Sequence, residues 1–265
     1  MRQAAGPRAR AVPAGRFTRL ARLGGMGAGV AADMAVNGAR RLAAGERPGL
    51  RELLLAPANV ARFADELARM RGAAMKMGQL MSMDAGDLMP PEIAEIMARL
   101  RAEADHMPPR QLRDVLDAEW GRGWLGRFAK FDAHPIAAAS IGQVHRARLK
   151  DGTELAIKVQ YPGVRRSIDS DVSNVGALMR MAGVLPPGTD IAPLLEEARR
   201  QLHEEADYER EAAQLAAFHR LLAGDDAFTT PAPHDALTTR NVLAMGYVKG
   251  VPVERMAEAP QDVRD

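Results

Sequence analysis

A lysine inside a short apolar segment is the residue of this sequence best suited to chemistry on a phosphate group. Lys158 stands in the run AIKV (156–159), which is typical of a strand with few polar positions. Its ammonium group is a point cation on a flexible stem, and such a group reaches phosphate oxygens well. The alternative is an edge lysine whose stem covers apolar surface while its charge stays in water. For a lysine considered alone, that alternative is the commoner one.

The segment before this lysine favours the phosphate role. Residues 137–147 read AAASIGQVHRA, and an Asp151-Gly152 pair then separates two apolar runs, which predicts a hairpin. A loop between two strands, followed by a lysine on the next strand, is the layout of a kinase phosphate loop. We therefore predict that a nucleotide is bound by Lys158 together with the loop residues Ala137, Ala138, Ala139, Ser140, Ile141, Gly142, Gln143 and Val144.

Alanines occupy positions of this loop where kinases carry glycines. Glycine lets backbone N–H groups approach a phosphate closely and move freely, whereas alanine restricts the backbone. The alanines predict a stiffer loop. Nucleotide preference and phosphate geometry should therefore differ from those of an ordinary kinase.

A lysine that binds phosphate needs a carboxylate to hold it in place, and Glu211 on a downstream helix is the predicted partner. Asp207 lies four residues before Glu211 and is predicted to share its helical face. Glu205 and Asp207 are two residues apart, so their carboxylates should meet different partners. Without other information, the charge-rich segment 203–211 would be interpreted as a solvated helix face, which is the usual role of such a pattern.

The first 120 residues have apolar side chains at helical spacing. Predicted helices cover residues 17–44, 50–71, 73–84, 92–103 and 108–119. Proline pairs at 90–91 and 108–109 suit the first turns of the last two helices. This part of the chain is therefore predicted to be all helical.

After Trp124 the pattern changes to alternation, which predicts strands at 128–131, 141–149, 155–159 and 241–248. Helices are predicted at 165–185 and, as one long element, at 191–222. Helices first, followed by an antiparallel sheet with inserted helices, define an α+β fold.

Composition limits the class of protein. The 265 residues are 47% hydrophobic and 26% charged, which is typical of a soluble globular chain. A net charge of +2 and 4% aromatic residues argue against a nucleic-acid partner, and the absence of cysteine suits a reducing compartment. We predict no metal site and no membrane span, and we expect a cytoplasmic location, with a position at the periphery of a membrane as the alternative. Residues 1–16 are predicted to be a disordered basic tail, with attraction to an anionic membrane surface as the alternative.

Four motifs, in order along the chain, resemble the UbiB/AarF atypical kinase-like family, in particular its eukaryotic mitochondrial branch linked to coenzyme Q. They are RGAAMKMGQLMS (71–82), AAASIGQVHRARL (137–149), AIKVQYPGVRRSIDSDVSNV (156–175) and EEADYEREAAQLAAF (204–218). The resemblance extends from about residue 17 to residue 260.

The resemblance implies a protein-kinase-like N-lobe preceded by a helical extension. It divides the chain into the basic tail 1–16, an extension 17–120 with a K-x-G-Q motif, an N-lobe 121–250 with the Ala-rich loop and an E-x-D helix, and the start of a C-lobe at 251–265. In the family, the extension folds over the nucleotide pocket and fills the groove where a protein kinase takes its peptide. ATP binding and slow ATPase activity remain.

The resemblance also implies roles for individual residues. Lys76 and Gln79 fit the K-x-G-Q motif, Glu205 and Asp207 fit the E-x-D motif, and Glu211 pairs with Lys158. The hinge that holds adenine through backbone groups matches Met245, Gly246, Tyr247 and Val248. We expect Glu205 to face Lys76, Asp207 to face the nucleotide, and the helix bearing Lys76 and Gln79 to pack over the Ala-rich loop.

The sequence departs from the family after the hinge, where only a short segment follows and no Asp-Phe-Gly motif occurs. The metal-holding carboxylates should lie further on, so we expect a part of a longer protein, with Mg²⁺ needed only in the full-length form. The expected function is an ATP-dependent kinase-like or ATPase role in ubiquinone or lipid quinone biosynthesis. Expected partners are ATP, a membrane surface or lipid, and quinone-biosynthesis proteins. The alternative is a non-catalytic nucleotide-sensing scaffold, or a degenerate fragment, that binds a partner or a membrane.

Overall fold

The computed structural model describes residues 16–49, 106–181 and 190–251 and, besides these, residues 52, 53, 56, 59, 62, 72, 73, 76, 80, 188 and 261. Its helices are α1 (Arg16–Ala43), α2 (Pro109–Trp120), α3 (Val164–Met181), α4 (Ala192–Glu205) and α5 (Tyr208–Leu221). Its strands are β1 (Phe128–Phe131), β2 (Ala137–Ala138), β3 (Gly142–Leu149), β4 (Glu154–Gln160) and β5 (Val242–Gly246). The predicted α+β fold is confirmed.

Helix α1 confirms the helix predicted at 17–44, and α2 confirms the one predicted at 108–119. The helices predicted at 50–71, 73–84 and 92–103 lie almost wholly outside the described residues. The same is true of Gln79, of residues 1–15 and of nearly all residues after 251.

The strands form one antiparallel sheet in the order β1-β3-β4-β5, and the short β2 also pairs with β3. The hairpin predicted between β3 and β4 is present. Its turn is closed by a hydrogen bond from the Leu149 N–H to the Thr153 carbonyl at 2.9 Å, and the Asp151 carboxylate accepts the Thr153 N–H at 2.9 Å. Gly152 has a φ of 92°, a left-handed conformation that favours glycine.

The main core lies between one face of the sheet and α2. Successive side chains of a strand point to opposite faces, so every second residue of β4 enters this core. The buried cluster includes Leu112, Leu116, Trp120, Phe128, Leu155, Ile157, Val159 and Val242. The Trp120 indole N–H donates to the Leu237 carbonyl at 2.9 Å, which satisfies the polar group of a buried tryptophan and ties α2 to the chain before β5.

The segment predicted as one long helix at 191–222 is two helices, so that prediction is wrong. Helix α4 ends at Glu205, and α5 begins at Tyr208 after a break at Ala206 and Asp207. Asp207 is the N-cap of α5, because its carboxylate accepts the Arg210 N–H at 3.1 Å. Aspartate competes for nearby backbone N–H groups and so favours caps over helix interiors. The Gln160 amide donates to the Ala206 carbonyl at 3.0 Å and fixes the break against the end of β4.

Candidate functional site

The face of β4 opposite the main core carries Lys158, whose ammonium group is held by Glu211 of α5. The Lys158 Nζ lies 2.7 Å and 2.8 Å from the two Glu211 carboxylate oxygens. The lysine side chain is 19% exposed and the glutamate 36% exposed, so the pair is partly screened by water. The ion pair predicted from the sequence is confirmed. It leaves a fixed positive group at the surface of the sheet beside the Ala-rich loop.

The cap of α5 changes the expected arrangement around Asp207. Asp207 precedes the first residue of α5 and caps it through its carboxylate, so a face shared with Glu211 stays a prediction. The Glu211 N–H donates to the Asp207 carbonyl at 2.9 Å, which places Glu211 in the first turn after the cap. A direction of the Asp207 carboxylate towards a nucleotide stays a prediction.

Glu205, the last residue of α4, joins the N-terminal extension to the Ala-rich loop. One carboxylate oxygen lies 2.5 Å from the Lys76 Nζ, and the other accepts the Ser140 hydroxyl at 2.9 Å. The expectation that Glu205 faces Lys76 is confirmed. Gly72, four residues before Lys76, packs on the loop so closely that a Cβ there would lie 2.8 Å from the Ile141 Cγ2 atom. The predicted contact between this part of the extension and the loop is therefore present.

The Ala-rich loop is a tight reversal rather than an open loop. Ala137 and Ala138 form β2 and pair with Val144 and Gln143 of β3. The Ala139 N–H donates to the Gly142 carbonyl at 2.9 Å. Several of the backbone donors predicted to bind phosphate are therefore used within the loop, which is consistent with the stiffness expected from the alanines.

The Gln143 side chain does not face the site. It is fully buried, its Oε1 accepts the Met107 N–H at 2.8 Å, and its amide nitrogen lies 2.8 Å from the His145 Nε2. His145 Nδ1 lies 2.9 Å from the Asp132 carbonyl. The prediction that Gln143 binds the nucleotide is therefore wrong for its side chain, and only its backbone could contact the nucleotide. Sequence analysis missed this network, although Gln143 and His145 alternate on the strand with the site-facing Val144.

The predicted hinge, residues 245–248, begins with the last two residues of β5. Gly246 donates its N–H to the Ala232 carbonyl at 2.8 Å, and Tyr247 donates its N–H to the Glu154 carbonyl at 3.0 Å. Arg146 is paired with Glu154 and stacks over the Tyr247 ring, with its guanidinium carbon 4.6 Å from the ring centroid. Sequence analysis missed Arg146. This residue lies two positions after Val144, the cross-strand partner of Lys158, and therefore on the same face of the sheet as the lysine.

Neither a metal-binding cluster nor a membrane-spanning helix is found among the described residues. Within the ranges that the structure describes, no group of three or more histidine or acidic side chains is arranged to hold a metal ion. In the same ranges, no helix has the length and apolar character needed to cross a membrane.

A five-stranded antiparallel sheet whose strand lysine is held by a helix glutamate defines a protein-kinase-like N-lobe. The ABC1 atypical kinase-like domain matches residues 99–264 of the chain. The chain belongs to this family of atypical kinases, which confirms the resemblance found in the sequence.

Relatives cover nearly the whole chain. The atypical kinase COQ8, mitochondrial, of Saccharomyces cerevisiae is 39% identical over 254 residues, which are 96% of this chain and 51% of that protein. The atypical kinase COQ8B, mitochondrial, of Rattus norvegicus is 41% identical over 97% of this chain and 49% of its own length. The chain thus spans about half the length of these relatives.

The chain is also similar to a solved structure. Rv3197 of Mycobacterium tuberculosis, in complex with erythromycin, is 29% identical with a TM-score of 0.50. The match covers 75% of this chain and 51% of that one.

Proposed function

We propose that this chain binds ATP between the Lys158 face of the sheet and the hinge at the end of β5, and that it serves an ATP-dependent, kinase-like or ATPase role in coenzyme Q biosynthesis. The ion pair between Lys158 and Glu211 carries the proposal. A carboxylate that holds the ammonium group at 2.7 Å fixes the position of the cation before a ligand arrives, so little order has to be imposed on binding.

The hinge supports a site for the adenine base. Neighbouring residues of an antiparallel strand direct their N–H and C=O groups to opposite edges. Tyr247 bonds towards β4 and Gly246 bonds away from it, so the Gly246 carbonyl and the Val248 N–H should face the outer edge. Neither group makes a backbone hydrogen bond to another described residue. An acceptor and a donor two residues apart fit the donor and acceptor on one edge of adenine.

The residues of the chain divide the work of binding. Bound ATP with its Mg²⁺ would supply the transferable phosphoryl group. Lys158 neutralises phosphate charge, Glu211 orients Lys158, and the backbone after β5 selects the base. The paired backbone of the loop at Ala139 and Gly142 limits how closely that loop can close on the phosphates.

A nucleotide-sensing scaffold is the second candidate function, and the contacts of the extension favour it. Gly72 packs on Ile141 and Lys76 pairs with Glu205, so these contacts would transmit a movement of the loop or of α4 to the extension. Such a chain would bind ATP without turnover and present a partner or a membrane surface with a different extension in each state. Phosphate release that depends on Lys158 would favour the enzyme over the scaffold.

Titration calorimetry of the 265-residue chain with ATP tests the proposed site. Lys158→Ala should lower the affinity at least about tenfold, because one charge-assisted contact to phosphate is lost. Lys130→Ala is the matched control, since Lys130 is also a strand lysine with a carboxylate partner, Asp132, at 2.9 Å. Absence of ATP binding, or an equal loss of affinity in both variants, would contradict the proposal.

The biosynthetic role needs a test in cells. In a chimera, this chain replaces the matching half of the yeast relative, and the rest of that protein is kept. The chimera is expressed in a yeast strain whose own gene for the relative is deleted, and coenzyme Q is measured. Restored coenzyme Q that is lost again with Lys158→Ala supports the role. A chimera that is folded and abundant but restores none contradicts it.

A further inference from the structure

The phenol of Tyr208, the first residue of α5, is enclosed but has no polar partner. The side chain is 0% exposed, and its hydroxyl makes no hydrogen bond within the part of the chain that the structure describes. Buried tyrosine hydroxyls normally find a partner, because an unpaired buried hydroxyl destabilises the fold. A phenylalanine would fill the same space without that cost. The hydroxyl therefore calls for a function outside packing.

The hydroxyl lies at the site, between its two main parts. The Lys158 Nζ is 4.8 Å from the centroid of the Tyr208 ring, a cation–π contact on the face where Glu211 also reaches the lysine. At its other end the hydroxyl adjoins Gly142, where a Cβ atom would come within 2.8 Å of it. Gly142 closes the reversal of the Ala-rich loop. Tyr208 thus contacts both the cation and the loop that are proposed to bind phosphate.

The hydroxyl is also in the right state to donate. Burial, with a smaller contribution from the Glu211 carboxylate, raises the pKa of Tyr208 far above its ordinary value. The phenol keeps its proton at any working pH, and phosphate oxygens are acceptors. Gly142 adjoins the hydroxyl on the loop side. Because this residue has no side chain, a small displacement of its backbone would open the way to the hydroxyl.

We propose that the Tyr208 hydroxyl is a phosphate-binding group, which donates a hydrogen bond to a phosphate oxygen of the bound nucleotide beside Lys158. This inference rests on the proposed nucleotide site and adds to it a residue to which sequence analysis gave no role. In the free protein the hydroxyl makes no hydrogen bond to a described residue, and it gains its partner when the phosphates enter. The difference between the two states makes the contact a source of affinity for phosphate rather than of fold stability.

Nuclear magnetic resonance of the tyrosine ζ carbon tests the contact directly. The sequence has three tyrosines, so a chain labelled only at this carbon gives three signals, which Tyr208→Phe and Tyr161→Phe assign. ATP and ADP should move the Tyr208 signal, whereas adenosine, which has no phosphate, should leave it in place. A Tyr208 signal that ATP leaves unchanged would mean that the hydroxyl keeps another partner, such as a bound water, and would overturn the inference.

Affinity gives the second measurement. Tyr208→Phe should weaken ATP and ADP binding about tenfold, the loss expected for one hydrogen bond to a charged acceptor. It should leave adenosine binding unchanged and should not lower the melting temperature, because the substitution removes a buried hydroxyl that has no partner among the described residues. Tyr161→Phe removes a hydroxyl from another buried tyrosine, one of the core cluster packed with α2, and should leave ATP affinity unchanged.

The outcomes separate the two proposals. If ATP binding depends on Lys158 but is equal in the wild type and Tyr208→Phe, the inference is wrong and the proposed function stands. A parallel loss of adenosine and ATP binding would indicate a packing defect and would also overturn the inference. A chain that binds no ATP in any variant contradicts the proposed function and removes the inference with it.

Discussion

The Lys76 ammonium group lies 2.5 Å from one oxygen of the Glu205 carboxylate, and the Ser140 hydroxyl donates to the other oxygen at 2.9 Å. One carboxylate at the end of α4 therefore connects a residue of the extension with the Ala-rich loop. The Lys76 side chain is only 14% exposed, so the pair is largely withdrawn from solvent on the lysine side. Such a pair stabilises the contact chiefly because each charge would be costly without the other.

Removal of Lys76 should therefore loosen the extension from the N-lobe. We expect Lys76→Ala to lower the free energy of unfolding by about 1 kcal/mol, the upper range of a partly exposed pair. The double variant with Glu205→Gln should be destabilised by less than the sum of the two single changes. Denaturant unfolding measures both effects, with Lys130→Ala, whose pair is on the open surface, as a control near zero. Additive single changes would show that the two charges do not act as a pair.

Gly142 of the Ala-rich loop has no room for a side chain. A Cβ there would lie 2.5 Å from the Val159 carbonyl oxygen, which is backbone of the neighbouring strand. Gly142→Ala should lower the free energy of unfolding by about 1–3 kcal/mol, because overpacking forces a backbone shift. Gly126→Ala, where a Cβ meets nothing within 4 Å, is the control and should be nearly neutral. Thermal unfolding measures the effect, and equal melting temperatures for Gly142→Ala and the wild type would contradict the packing described.

His145 is held in its neutral form by the buried network of Gln143. Burial is the main reason that its pKa is lowered to about 4, with smaller contributions from the nearby His134 and His106, and it outweighs the bond to the Asp132 carbonyl. Its Nε2 accepts from the Gln143 amide, whose oxygen is already bound to the Met107 N–H. A proton on Nε2 would place two donors against each other.

Stability should consequently fall as the pH is lowered below 6.5. The unfolded chain binds a proton at His145 near pH 6.5, whereas the folded chain does so only near pH 4. Between these values, each step to lower pH therefore stabilises the unfolded state relative to the folded state. We expect this residue to account for about 2 kcal/mol of lost stability between pH 7 and pH 5. Denaturant unfolding across this range measures the loss. His145→Leu should be less stable throughout but should show a flatter pH dependence, and an unchanged slope would contradict the assignment.

The sheet and its lysine could be predicted from the sequence because their signals are local. The Asp151-Gly152 turn fixes the hairpin register, and that register places Lys158 opposite Val144. Period-two alternation then decides which face carries the lysine. The motifs supplied the partner, Glu211, because no local rule relates residues 53 positions apart.

The break between α4 and α5 could not be predicted with the same rules. A charged segment with helical spacing gives no warning when one aspartate stops acting as a helix residue and becomes a cap. Asp207 does so because the end of β4 binds the Ala206 carbonyl through Gln160, a tertiary contact. Tyr208 was missed for a related reason. Its burial depends on Gly142 and Lys158, neither of which is near it in sequence.

Asp207 offers the last prediction, since its structural and proposed functional roles can be separated by two substitutions. Asparagine caps a helix about as well as aspartate but has no charge, whereas alanine does neither. Asp207→Ala should lose about 1 kcal/mol of stability, because the Arg210 N–H loses its acceptor at the start of α5. Asp207→Asn should keep wild-type stability.

Nucleotide binding then tells the two roles apart. If the Asp207 carboxylate faces the nucleotide and its Mg²⁺, Asp207→Asn should weaken binding of ATP with Mg²⁺ while leaving binding of ATP without the metal little changed, since the lost charge acts on the cation. Calorimetry with and without Mg²⁺ measures this difference, and thermal unfolding of the same samples shows whether the cap is intact. Equal affinities for Asp207→Asn and the wild type in Mg²⁺ would limit Asp207 to the start of α5, and the position of the metal charge would then have to be sought on another side chain.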